Sequence, residues 1–249
     1  MRKTFLFACA AVAATLSFTS CSNEVDMFEN ATTKATINLN ITNDNAMVTR
    51  AVQTATNANW FAKVGINEWT AASSLEGKTY TPGTYSIQVG NYKTEADALA
   101  ANEGAGDAYY TLTKNVELVK GTNAVSFDCG TAKNSKVTVD WSGTDNVAGL
   151  AMTSVVAVQG SRTYTYSANG AAYFSAGTDV VCTIKYKYNN VDKTIEKTIS
   201  TPTAATNYAL NIGANENGTI TTLTITYDDE MTDGTATSTT IDAATGAEV

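Results

Sequence analysis

The sequence predicts an all-β protein built from two tandem β-sandwich domains. Three observations predict it. Short runs in which apolar and polar residues alternate recur from residue 36 to residue 227, and that period of two is the signature of half-buried strands. Threonine is abundant, proline occurs only twice, and Gly, Asn and Ser punctuate the strand-like runs. Only one segment, near residues 95–101, has the composition of a helix.

The chain opens with Arg2-Lys3, an apolar run from Phe5 to Leu16, and Ser17-Phe18-Thr19-Ser20-Cys21. A basic start, a short apolar core and small residues before a cut are the marks of a secretory signal peptide. The run is too short to span a bilayer core of roughly 30 Å as a helix. A cysteine directly after two small residues points to the lipoprotein variant, in which residues 1–20 are removed and Cys21 carries lipid. The usual aliphatic residue three places before the cysteine is replaced by Phe18, so an ordinary signal peptide with a chance cysteine is the bland alternative. Residues 21–30 are polar and acidic without a strand pattern and read as a tether. Acids just behind the lipidated cysteine resemble the surface-export signal of Bacteroidetes lipoproteins, which implies the outer membrane with the chain facing outward. Several acyl chains, at about 0.8 kcal/mol per buried methylene, hold such a protein stably.

The strands then follow in order. In 36–42, Ile37, Leu39 and Ile41 face inward and Thr36, Asn38, Asn40 and Thr42 outward. In 60–69, Ala62, Val64 and Ile66 share one face, and Phe61 and Trp69 lie on the other. Pro82-Gly83 turns the chain into 84–89. After the helical segment and a Glu-Gly-Ala-Gly-Asp loop at 103–107, strands resume at 109–113, 116–119 and 124–129. The short polar stretch 130–135 is the expected domain boundary, giving domains at 31–129 and 130–228. The second domain opens with 136–141 and 154–158. Strands at 162–167 and 171–174 flank Asn169-Gly170, a hairpin dipeptide, and those at 180–188 and 194–199 flank Asn189-Asn190. Strands at 208–212 and 219–227 close the series. Residues 229–249 read as a flexible tail or a strand to be donated.

Composition removes several kinds of chemistry. The chain has no histidine, which excludes imidazole-based triads and His-ligated metal centres. A formal net charge of −8, more negative once Arg2 and Lys3 leave, argues against nucleic acid as a partner. There is no phosphate loop, dinucleotide fingerprint or metal-spaced cysteine cluster, and no catalytic pair, metal site or cofactor is expected. Alternation places Cys129 with Val125 and Phe127, and Cys182 with Val180 and Ile184, so both cysteines face a core. An oxidising compartment permits a Cys129–Cys182 disulfide, and two buried free thiols are the alternative.

One group of residues carries a resemblance. Pro82-Gly83-Thr84-Tyr85, Tyr109-Tyr110, Val119-Lys120-Gly121 running into Val125-Ser126-Phe127-Asp128-Cys129, Val137-Thr138-Val139 and Tyr173-Phe174 together resemble an uncharacterised domain family of Bacteroidales surface lipoproteins, related to the fimbrillin and fimbrial-anchor superfamily. The resemblance implies two transthyretin-like β-sandwich domains and a surface or fimbrial role, with fimbrial subunits or other copies of the chain as partners. It carries over no catalytic or ligand residue. It also gives Val48-Thr49-Arg50-Ala51-Val52 a meaning, because shaft subunits of that superfamily are cut after an arginine near this place. A cut between Arg50 and Ala51 would open a groove for another subunit's strand, whereas anchor subunits keep their lipidated N-terminus; an ordinary loop arginine is the bland reading.

Aromatic residues are the remaining ligand candidates, since sugar faces stack on flat rings. Phe61, Trp69, Tyr109 and Tyr110 are the candidates for a glycan or host-surface contact, with core packing as the competing explanation. Asp228-Asp229-Glu230 lacks the spacing of a calcium loop. The sequence thus points to a non-enzymatic, outer-membrane surface lipoprotein of the adhesion or fimbrial accessory type, with a stand-alone glycan-binding lipoprotein as the alternative.

Overall fold

The structure, a computed structural model, describes residues 33–42, 59–217, 220–228 and 237–249. The segments expected to be a signal peptide (1–20) and a tether (21–30), and the Arg50–Ala51 pair, lie outside the described residues. The chain folds almost entirely into strands. In order these are β1 (Ala35–Thr42), β2 (Phe61–Val64), β3 (Thr70–Ala71), β4 (Thr79–Tyr80), β5 (Gly83–Gly90), helix α1 (Glu95–Ala100), β6 (Thr111–Leu118) and β7 (Gly121–Asp128). The second half holds β8 (Asn134–Gly143), β9 (Leu150–Gln159), β10 (Arg162–Tyr166), β11 (Gly170–Ser175), β12 (Val180–Tyr188), β13 (Val191–Ile199), β14 (Asn207–Asn217), β15 (Ile220–Asp228) and β16 (Thr237–Asp242).

Four sheets form, in the orders β4-β1-β7, β3-β2-β5-β6, β11-β8-β14-β15-β16 and β10-β9-β12-β13. The first two close over one apolar cluster, including Ile37, Val64, Ile87, Leu118 and Phe127. The other two close over a second, including Val139, Val155, Phe174, Ile184 and Ile225. Each pair of sheets is a sandwich-like lobe, and alternation explains which residues fill it. Along β12, Val180, Cys182, Ile184 and Tyr186 are all buried, while the intervening Lys185 and Lys187 are exposed. Most pairings are antiparallel; β1 runs parallel to β7 over eight matched residues, and β14 runs parallel to β8. Helix α1 begins with a reciprocal capping box, in which Asp97 N–H donates to Thr94 Oγ1 at 3.2 Å and Thr94 N–H to Asp97 Oδ2 at 3.1 Å.

Several expectations are corrected. Gly65, at φ +61°, ends β2 in a turn, so Ile66 does not continue the inner face but is 102% exposed at its tip. Trp69 consequently lies beyond that turn and not on the strand that carries Phe61. The runs at 109–113 and 116–119 are not two strands; 111–118 is the single strand β6. Asn189-Asn190 does make a tight hairpin, with both residues at positive φ (50° and 64°) between paired β12 and β13. Asn169-Gly170 does not: β10 pairs with β9 and β11 with β8, so the chain crosses between sheets there. The Asn169 side chain explains the difference. It accepts from Trp141 N–H at 2.9 Å and donates to Asp140 Oδ1 at 2.8 Å, tying the crossing to β8. The tail is also reassigned from Thr237 onward. Residues 237–242 form edge strand β16, and Ile241 and Ala243 are buried in the second core, so that core extends beyond residue 228.

Cys129 and Cys182 are free thiols in separate cores, which is why no disulfide joins them. Burial raises both: Cys129 to about 11, with the carboxylate of Asp128 adding to the effect, and Cys182 to about 12. At pH 8 this leaves about one thiolate per thousand at Cys129 and about one per ten thousand at Cys182. In a chain with Cys9 and Cys21 replaced by serine, neither thiol is expected to react with an aromatic disulfide reagent at pH 8 until denaturant is added, when both should. Immediate colour from the native protein would contradict the buried placement.

Candidate functional site

The candidate site of the first lobe is the outer edge of β1. In a strand, successive residues direct their N–H and C=O toward opposite edges. Gly121 N–H donates to Lys34 O at 3.1 Å and Cys129 N–H to Thr42 O at 2.8 Å, so the even-numbered residues of β1 face β7. The odd-numbered residues face the other way, toward β4. Strand β4 has only two residues and matches β1 only at Ala35 and Thr36. Among the described residues no strand pairs with β1 on that side beyond Thr36. The backbone groups of Leu39 and Ile41 therefore point into a cleft of about 590 Å³.

That cleft is where the sandwich gapes. Ala35 and Ile37 are buried, yet Leu39 and Ile41, on the same inward face, are only half-buried. Trp60, Ala72 and Glu76 border the opening with them, beside the 3₁₀ turn Ala72–Leu75. Phe61 lies at its rim, with the Lys93 ammonium 5.6 Å from the centre of its ring. A cleft lined by a strand edge, the apolar Leu39 and Ile41, the rings of Trp60 and Phe61, and the polar Asn59, Ser73 and Glu76 can accept an extended segment: the edge supplies hydrogen bonds and the cleft a place for a side chain. Among the described residues no three His, Cys, Asp or Glu side chains gather as a metal site would require.

The predicted aromatic candidates divide. Phe61 borders the cleft; Trp69 is half-buried and does not. Tyr109 and Tyr110 are corrected: they are 8% and 1% exposed and belong to the fold's interior, so neither offers a face to a ligand. Their backbones are held by buried amides, Tyr109 N–H donating to Asn134 Oδ1 at 3.0 Å and Tyr110 N–H to Asn91 Oδ1 at 2.8 Å. Trp60 was missed, although a signal existed. It alternates with Ala62 and Val64, which places it on the inner face at the open end of β2.

The sheets and their two apolar cores define an all-β, sandwich-like protein. Residues 15–243 match the family described as Domain of unknown function (DUF4493), and the chain belongs to that family. No curated protein matches it. Among solved structures it is similar to a candidate cell adhesion protein of Bacteroides fragilis, at 10% identity and TM-score 0.43, over 77% of this chain and 96% of the other. A candidate cell adhesion protein of Bacteroides ovatus is similar at 11% and 0.43, over 81% and 98%. A fimbrial assembly protein of Parabacteroides distasonis is similar at 11% and 0.44, over 80% and 97%. Among the described residues no helix is long and apolar enough to cross a membrane.

Proposed function

We propose that this chain is a non-enzymatic surface lipoprotein of the outer membrane, held through Cys21, that serves as an adhesion or fimbrial accessory or anchor-type subunit and assembles by β-strand addition. The observation that supports this reading is the side of β1 that, among the described residues, no strand pairs with beyond Thr36, beside the Leu39–Ile41–Trp60 cleft. An anchor keeps Cys21 and β1 on one chain, so an incoming strand adds beside β1. Cleavage between Arg50 and Ala51 is the competing route. It would release β1, and with it eight matched residue pairs along β7 and the buried Ala35 and Ile37, leaving a groove to be refilled.

Unheated outer-membrane fractions on a denaturing gel, probed for this chain, test the reading. A ladder of multimers that heat collapses is the expected result. Ile41→Lys should abolish the ladder with the fold retained, because a charge at an edge opposes strand addition and Ile41 is only half-buried. The mass of the monomer released by heat separates the routes, since loss of β1 shortens the chain. A single band from the wild-type chain would sink strand-added assembly. The glycan-binding reading draws on Trp60 and Phe61 at the same cleft. It predicts that single band together with retention on a glycan surface that Trp60→Ala loses.

A further inference from the structure

The polar stretch 130–135 has the composition of a hinge, yet the structure pins it from both sides. Ala132 is 2% exposed and packs into the first core. Lys133 N–H donates to Tyr109 O at 2.7 Å. Asn134 is fully buried: its Nδ2 donates to Asp107 O at 2.8 Å, its Oδ1 accepts from Tyr109 N–H at 3.0 Å, and its backbone carbonyl accepts from Ala205 N–H at 2.9 Å in the second lobe.

A second attachment lies away from the connection. Arg162 of β10, in the second lobe, sends Nη1 to Leu99 O at 2.6 Å and Nη2 to Gly104 O at 2.7 Å, both in the first lobe. Leu99 O belongs to the last turn of α1, where carbonyls lack helical partners and a cation is favoured. The guanidinium also sits 5.3 Å from the centre of the Phe174 ring. Among the described residues no carboxylate pairs with Arg162, and its Nε is buried without a hydrogen-bond partner. A guanidinium so desolvated is held by the two carbonyls, and opening the lobes would remove both. Close by, Tyr173 N–H donates to Ala105 O at 2.7 Å. Gly106, at φ +83°, lets the strap pass: a Cβ there would lie 3.2 Å from Tyr173 Cβ and 3.3 Å from Arg162 Nη2.

We infer that Arg162 and Asn134, with the Tyr173–Ala105 backbone bond between them, form a clasp that makes the two lobes one rigid body, with the strap from Leu99 to Tyr109 as the part clasped. The inference is independent of what the chain binds. Attachments away from the covalent connection restrain bending that the connection alone would allow, since lobes joined only by a short polar linker move relative to one another by default.

The test is a spin-label distance measurement on the full chain with Cys9 and Cys21 replaced by serine and labels at Val119→Cys and Val191→Cys, one exposed site in each lobe. Cys129 and Cys182 are buried and should remain unlabelled. The wild-type background should give one narrow distance distribution, and Arg162→Ala should widen it by about twofold or more. Arg162→Lys should widen it as well, because a lysine cannot hold two carbonyls in a planar fork. This variant carries the comparison should the alanine variant not fold. A broad wild-type distribution, or variants as narrow as the wild type, would overturn the clasp.

Discussion

Asn134→Asp is expected to destabilise the protein by about 3 kcal/mol at neutral pH, the cost of a buried donor lost and a charge left without a partner. The two side chains have nearly the same shape, so packing is not the cause. Asn134 uses both ends of its amide inside a fully buried site, accepting from Tyr109 and donating to Asp107 O. Aspartate keeps the first bond and turns the second into an oxygen facing an oxygen. Protonation relieves this, because a carboxyl O–H can donate to Asp107 O where the amide did. The folded state therefore raises the new group's pKa above its unfolded value of about 4. The native state binds the proton more tightly, so the penalty is smallest below about pH 4 and grows as pH climbs through the folded-state pKa. Denaturant unfolding of wild type and variant side by side at pH 4 and pH 7 measures it. A penalty that does not depend on pH would mean that the carboxyl had escaped to water and that the site is not closed.

Phe174→Ala should cost about 3–5 kcal/mol, the range for emptying a large aromatic site in a packed core. Phe174 is fully buried in the second core, opposite strands of the facing sheet. Its ring also lies under the Arg162 guanidinium, an attraction of about 0.5–1 kcal/mol or more once desolvated. Phe174→Leu keeps most of the volume but not the ring, and is expected to lose about 1–2 kcal/mol. Thermal or denaturant unfolding followed by circular dichroism decides. A stability change under about 1 kcal/mol for the alanine variant would contradict both the packing and the ring contact.

Much of this fold was legible in local pattern. The inward faces of β1 and β12, the burial of Cys129 and Cys182, the capped helix at Glu95–Ala100 and the Asn189-Asn190 hairpin all follow from residues within a few places of one another. Alternation says which face of a strand is apolar, and asparagine in a two-residue loop says that the chain can reverse with positive φ.

The candidate edge was less legible. Leu39 and Ile41 read as inward-facing like Ile37, and nothing local shows that β4 covers only the first two residues of β1. Ring chemistry alone made Tyr109 and Tyr110 look available, but both are buried, and their backbone N–H groups are held by Asn134 and Asn91, twenty-five and nineteen residues away. Arg162 gave no signal at all, since its partners are backbone carbonyls in the other lobe.

By itself the sequence determined the strand-rich class, the polarity of each strand's two faces and the places where the chain turns, because those properties depend on neighbouring residues and on backbone sterics. Only the tertiary structure decided which sheet received each strand, how little of β1 is covered by β4 and how the lobes were joined. Asn169-Gly170 shows the reason: the dipeptide permits a reversal, but the hydrogen bonds of its side chain to β8 set the sheet in which the next strand pairs. Such choices rest on groups far apart in the chain that become neighbours only when the whole fold has closed.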